Sequence, residues 1–144
     1  MEITDDNIFD QAREGNLDIL KHPSVDKVVN KYGNAPLHIL AIVGRIEVLE
    51  HTSVDKVVDK YGETPLHFLA GQGKVEVLEH PSVDKVVNKY GWTPLHYLAW
   101  EGEVPREWIK EKYPWFELGD RRITKKLITE ILNTSYAERF ILGL

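Results

Sequence analysis

Apolar residues along this chain come in short blocks, each interrupted by glycine or proline before it can grow long. The block after Thr64 shows the pattern: Leu66, Leu69 and Ala70 fall at i, i+3 and i+4, the stripe of a short helix. Thr64 supplies an N-cap oxygen. Pro65 suits the first helical position, because an N–H there would have no intrahelical partner. The glycines at 71 and 73 end that helix, and Val75, Val77 and Leu78 start a second short one that Pro81 closes. A loop then leads back to Lys-Tyr-Gly, so the pattern predicts helix, turn, helix, loop.

The same unit recurs. HPSVDKVVNKYGNAPLHILA from His22, HTSVDKVVDKYGETPLHFLA from His51 and HPSVDKVVNKYGWTPLHYLA from His80 repeat at a spacing of 29 residues. GNLDILKH from Gly15 aligns with GRIEVLEH from Gly44 and GKVEVLEH from Gly73, so residues 6–22 form a first, partial unit without the Pro-Leu-His motif. Helices of roughly eight residues do not persist alone. Each must bury its stripe against the next unit, which predicts a stacked solenoid.

ETPLHFLAGQGKVEVLE (Glu63 to Glu79) and WTPLHYLAWEG (Trp92 to Gly102) resemble the ankyrin repeat, whose signature carries Thr-Pro-Leu-His followed by a Gly and a second helix. The likeness covers about residues 6–104, with a period of 29 against the family's usual ~33. The difference implies a shortened outer helix or loop. Ala35 replaces the capping Thr in one copy, which weakens that cap by ~1 kcal/mol. The resemblance implies projecting turns, and turn tips that line one concave face together with the first helices. It also implies that His38, His67 and His96 join neighbouring turns by hydrogen bonds.

After Val104 the register is lost, and REWIKEKYPWFELG brings in Trp108, Tyr113, Trp115 and Phe116. Arg106 to Lys112 reads as a helix that stops before Pro114. Thr124 to Asn133 carries Leu127, Ile128, Ile131 and Leu132 on one face, and Ser135 with Glu138 forms a capping box ahead of Phe140 and Ile141. Residues 105–144 therefore read as a helical C-terminal cap over the stack of residues 1–104. The cluster of Arg121, Arg122, Lys125 and Lys126 leaves open a small partner-recruiting module instead.

Composition narrows the function. A chain of 144 residues, 42% hydrophobic and 28% charged, suits one soluble domain, and without Cys it has no thiol chemistry. A net charge of −5 argues against binding nucleic acid by bulk charge. No apolar run approaches the ~20 residues of a membrane span, and MEITDDNIFDQ has acids where a secretory signal carries base, so a cytoplasmic protein is expected. The six His sit at only two phases of the repeat. Equivalent residues ~8–10 Å apart cannot share an ion that requires ligands at ~2 Å. His22, His51 and His80 read as ends of second helices, and carboxylates such as Asp55 and Glu76 as solvated. No phosphate loop, G-x-S-x-G elbow or H-E-x-x-H is present, so neither an enzyme, a metal nor a cofactor is expected.

Function is then sought where the copies differ, on the reasoning that stacking positions stay constant while partner-facing ones vary. The differences fall at Asn34/Glu63/Trp92, Ile39/Phe68/Tyr97, Ile42/Gly71/Trp100 and Val43/Gln72/Glu101. The resemblance places the first and the last two of these sets on the turn and concave surface. Trp92 and Trp100 either pack on the aromatic C-terminal segment or form an exposed anchor, which is the preferred expectation. Tyr32, Tyr61 and Tyr90, each after a Lys, read either as covers over the neighbouring turn or as an aromatic and basic ridge for an extended partner.

The combined expectation is an all-α, ankyrin-type helical repeat solenoid. It would be a monomer when unbound and would bind another protein through Tyr32, Asn34, Ile42, Tyr61, Glu63, Gly71, Gln72, Tyr90, Trp92, Trp100 and Glu101. A structural spacer or oligomerising scaffold, and a small inhibitor that blocks a target's active site, remain alternatives.

Overall fold

Each Pro-Leu-His block opens an α-helix where its capping chemistry predicts. In the computed structural model, which describes residues 2–102 and 104–114, Thr64 and Thr93 are N-caps whose side chains accept the N–H of His67 and His96. The helices they open are α3 (Pro65–Gly71) and α4 (Pro94–Glu101), while α2 (Pro36–Ile42) starts after Ala35 without a side-chain cap. The partial first unit supplies α1 (Ile8–Arg13), and α5 (Arg106–Lys112) stops before Pro114 as expected. The expected helices at Thr124 to Asn133 and after Ser135, together with Trp115, Phe116 and the basic cluster, lie outside the described residues.

The second element of each unit differs from the expected α-helix. It is a five-residue 3₁₀ turn: η1 (Leu17–Lys21), η2 (Ile46–Glu50) and η3 (Val75–Glu79). Each buries one residue completely, Ile19, Val48 or Val77. An α-helix needs several buried positions on one face to be worth its ordering, whereas a single anchor is served by one tight turn. Gly44 and Gly73, at φ +86° and +76°, reverse the chain between the two elements.

Among the described residues the fold is all-helical, with no strand. The α-helices pack in chain order, α1 on α2, α2 on α3 and α3 on α4, and each 3₁₀ turn touches its own α-helix and the next one. The expected stripe understates the burial. Every residue of α2 is buried, and so is α3 from Pro65 to Ala70, as befits short helices with a neighbour on both sides. One apolar core runs from Ile8 to Tyr113.

Candidate functional site

The turns between η and α elements are built by one side chain each. Asn30 Oδ1 accepts the N–H groups of Tyr32 and Asn34, Asp59 Oδ1 those of Tyr61 and Glu63, and Asn88 Oδ1 those of Tyr90 and Trp92. The glycine at each tip takes a left-handed φ, as at Gly62 (+76°). The role of Asn30, Asp59 and Asn88 was missed in the sequence, although Asn or Asp ahead of a Gly turn is a legible signal.

Adjacent tips touch. Lys89 N–H donates to the Tyr61 carbonyl at 3.0 Å, and a Cβ on Gly62 would lie 3.0 Å from Lys89 N. Below the tips, His67 Nδ1 accepts Thr64 N–H at 3.0 Å while Nε2 donates to the Trp92 carbonyl at 2.9 Å. A carbonyl can only accept, so Nε2 carries the proton and the ring is neutral. Burial holds the His67 pKa down to about 4, helped by the nearby His96 and opposed by the Trp92 hydrogen bond. His38 repeats the arrangement between Ala35 N–H and the Glu63 carbonyl. The histidines that end the 3₁₀ turns do more than terminate them: Nδ1 of His22, His51 and His80 accepts the N–H of Ser24, Ser53 and Ser82.

The structure overturns the rule that differences point outward. Glu63 is completely buried, and its Oε1 accepts from the Tyr97 hydroxyl and from Asn88 Nδ2 at 3.3 Å, both in the next repeat. Burial, together with the Glu63 charge and hydrogen bond, pushes the Tyr97 hydroxyl pKa well above its usual range, which keeps it a donor. Asn34 and Ile42 are also buried, and Trp100 is only 2% exposed. At Glu63 the difference is matched to Tyr97 of the next repeat. Gln72 is likewise structural, since its Nε2 donates to the carbonyls of Ala41 at 2.7 Å and Phe68 at 3.1 Å. These acceptors lie near the C-terminal ends of α2 and α3, where helix carbonyls lack intrahelical partners. Gly71, half-buried, lies at the end of α3.

Asp55 is no solvated carboxylate. Its Oδ2 accepts from Ser82 Oγ at 2.7 Å, as Asp26 does from Ser53 at 2.6 Å. For Asp26 the serine bond leads in lowering the pKa. For Asp55 burial is the largest influence and acts upward, but Ser82 and Lys56 together outweigh it.

The expected contact residues that reach the surface gather on the tips and the last helix. Tyr90 is 48% exposed and stacks on half-buried Trp92, with ring centroids 5.1 Å apart and planes 21° from parallel. Trp92 in turn meets Trp100 edge to face at 5.9 Å. The expected anchor pair is therefore corrected: Trp100 is the inner support of an outer Tyr90–Trp92 pair. Glu101 is exposed close by in sequence. Tyr32 and Tyr61 are half-buried beneath lysines, with Lys31 and Lys60 over the Tyr32 ring at 5.1 and 5.7 Å and Lys60 over Tyr61 at 5.1 Å.

Among the described residues no group of His, Asp or Glu is placed to hold a metal ion, and no helix is long and apolar enough to cross a membrane. No protein-family model and no curated protein matches the chain.

Proposed function

We propose that the chain is a short-period, ankyrin-type helical solenoid that acts as a protein-binding module, with the Tyr90–Trp92 pair as its anchor. The solenoid reading is supported by α-helices that pack in chain order and by hydrogen bonds that recur at equal separations, such as His38 to Glu63 and His67 to Trp92. The binding reading rests on one observation: stacked aromatic rings, nearly half open in Tyr90, stand at a turn tip and are backed by Trp100. Rigid aromatic groups present large contact area at little entropic cost. Glu101, exposed and next to Trp100 in sequence, adds polar selectivity in this reading.

Affinity capture with the intact chain and with a Tyr90→Ala/Trp92→Ala variant, followed by Kd measurement for each captured protein, tests this. A genuine partner loses about 2 kcal/mol or more, some 30-fold in Kd, while far-UV helicity stays unchanged. Equal affinity for both forms refutes the anchor. Sedimentation distinguishes the scaffold alternative, which requires self-association of the free chain.

A further inference from the structure

Building on the binding-module reading, we propose that the turn tips carry a lysine–tyrosine ladder that reads an extended acidic peptide, with a carboxylate on every third residue. Burial alternates along three equivalent segments. Lys27, Val29 and Lys31 are exposed while Val28 and Asn30 are covered, and the pattern recurs at 56–60 and 85–89. Each segment thus leaves Lys-x-Val-x-Lys exposed. Val29, Val58 and Val87 are 61%, 55% and 57% exposed, an apolar column between two columns of lysine. The chain is net acidic, at −5, yet this strip concentrates its base.

Acids already engage one lysine column: Asp26 and Asp55 pair with Lys27 at 3.5 Å and Lys56 at 3.3 Å while accepting from Ser53 and Ser82, so the column offered to a partner is that of Lys31, Lys60 and Lys89. Two of the ladder ammoniums lie over ring faces: Lys31 over Tyr32, and Lys60 over both Tyr32 and Tyr61. Long, flexible side chains ordered before binding lose less freedom when a partner arrives.

Pitch selects the partner's pattern. Successive tips are in backbone contact through Lys89 and Tyr61, and stacked helices repeat at ~8–10 Å. An extended peptide advances ~3.3 Å per residue, so three residues match one repeat. Carboxylates at that interval meet Lys31, Lys60 and Lys89, and small apolar residues between them meet the valines. A nucleic-acid strand fits less well, because the Tyr32 ring a base would stack on already faces ammonium groups.

The test is fluorescence anisotropy at low salt with a labelled peptide of three Asp-Val-Ser units. The comparison probes are a peptide with the same acids on alternate residues, its lysine counterpart, and a single-stranded oligonucleotide. The every-third peptide binds best, weakens with salt, and loses about three- to fivefold in affinity with Lys60→Gln but not with Lys60→Arg or Lys110→Gln. Equal binding of the two acidic patterns, no effect of Lys60→Gln, or preference for the oligonucleotide overturns the ladder. A peptide that ignores Lys60→Gln but is lost with Tyr90→Ala/Trp92→Ala sinks the ladder and leaves the anchor standing. Ladder binding alongside captured proteins indifferent to the Tyr90/Trp92 change does the reverse.

Discussion

Tyr97→Phe removes a single oxygen from a completely buried ring, yet that oxygen joins two repeats. It donates to Glu63 Oε1 and accepts from Asn88 Nδ2 at 2.9 Å. Without it the buried carboxyl group loses the hydroxyl donor, with Asn88 Nδ2 at 3.3 Å and His67 Nδ1 at 3.9 Å beside it. Leaving a buried polar group short of its partner costs about 1–3 kcal/mol. The chain itself contains the control, because one repeat earlier the same two positions hold Asn34 and Phe68. Glu63→Asn combined with Tyr97→Phe reproduces that pairing, so the Glu63–Tyr97 hydrogen bond is lost once in the double variant but counted in both single ones. The double variant is therefore expected to be more stable than the sum of the single losses by about 1 kcal/mol or more. Urea denaturation followed by Trp fluorescence, run on the wild type and all three variants, measures the coupling. Additive losses would show that the Glu63–Tyr97 contact contributes nothing specific to repeat order.

Further predictions concern the rest of the stack. The folded-state pKa of His67 is held down to about 4 against 6.5 for the free side chain, so the unfolded chain takes up its proton first as pH falls. Its stabilisation is fully present above pH ~6.5 and decays towards pH 4, a loss of about 3 kcal/mol, and a urea midpoint unchanged between pH 7 and 4.5 would contradict it. Asp26 and Asp55, lowered from 3.8, extend the same acid sensitivity to lower pH, because their contributions are lost only as they protonate. Gly62→Ala meets both a φ of +76° and a backbone nitrogen at 3.0 Å, whereas Gly91→Ala meets a φ of +81° with open space around it. Thermal melts should show a loss of roughly 1–2 kcal/mol for Gly91→Ala and clearly more for Gly62→Ala. Gln72→Ala releases the carbonyls of Ala41 and Phe68 and should cost about 1 kcal/mol, readable in the same urea assay.

The start of each Pro-Leu-His helix and the register of the repeat were determined by the sequence alone. Thr64, Pro65 and His67 act on backbone groups within a few residues, so their chemistry is local and readable from order along the chain. Exposure was not readable in this way. Short buried helices and the turns before them have no polar face to betray their orientation, so variation among copies at Ile42, Glu63 and Trp100 looked like an outward signal. Only the tertiary structure shows that Glu63 meets Tyr97 of the next unit and that Trp100 backs Trp92 rather than facing solvent. The reason is physical: a side chain's partner across a stack lies some 25 to 34 residues away, and its identity depends on how neighbouring helices pack. Packing likewise decided that a single buried anchor such as Val77 is served by a 3₁₀ turn, where apolar spacing alone suggested an α-helix.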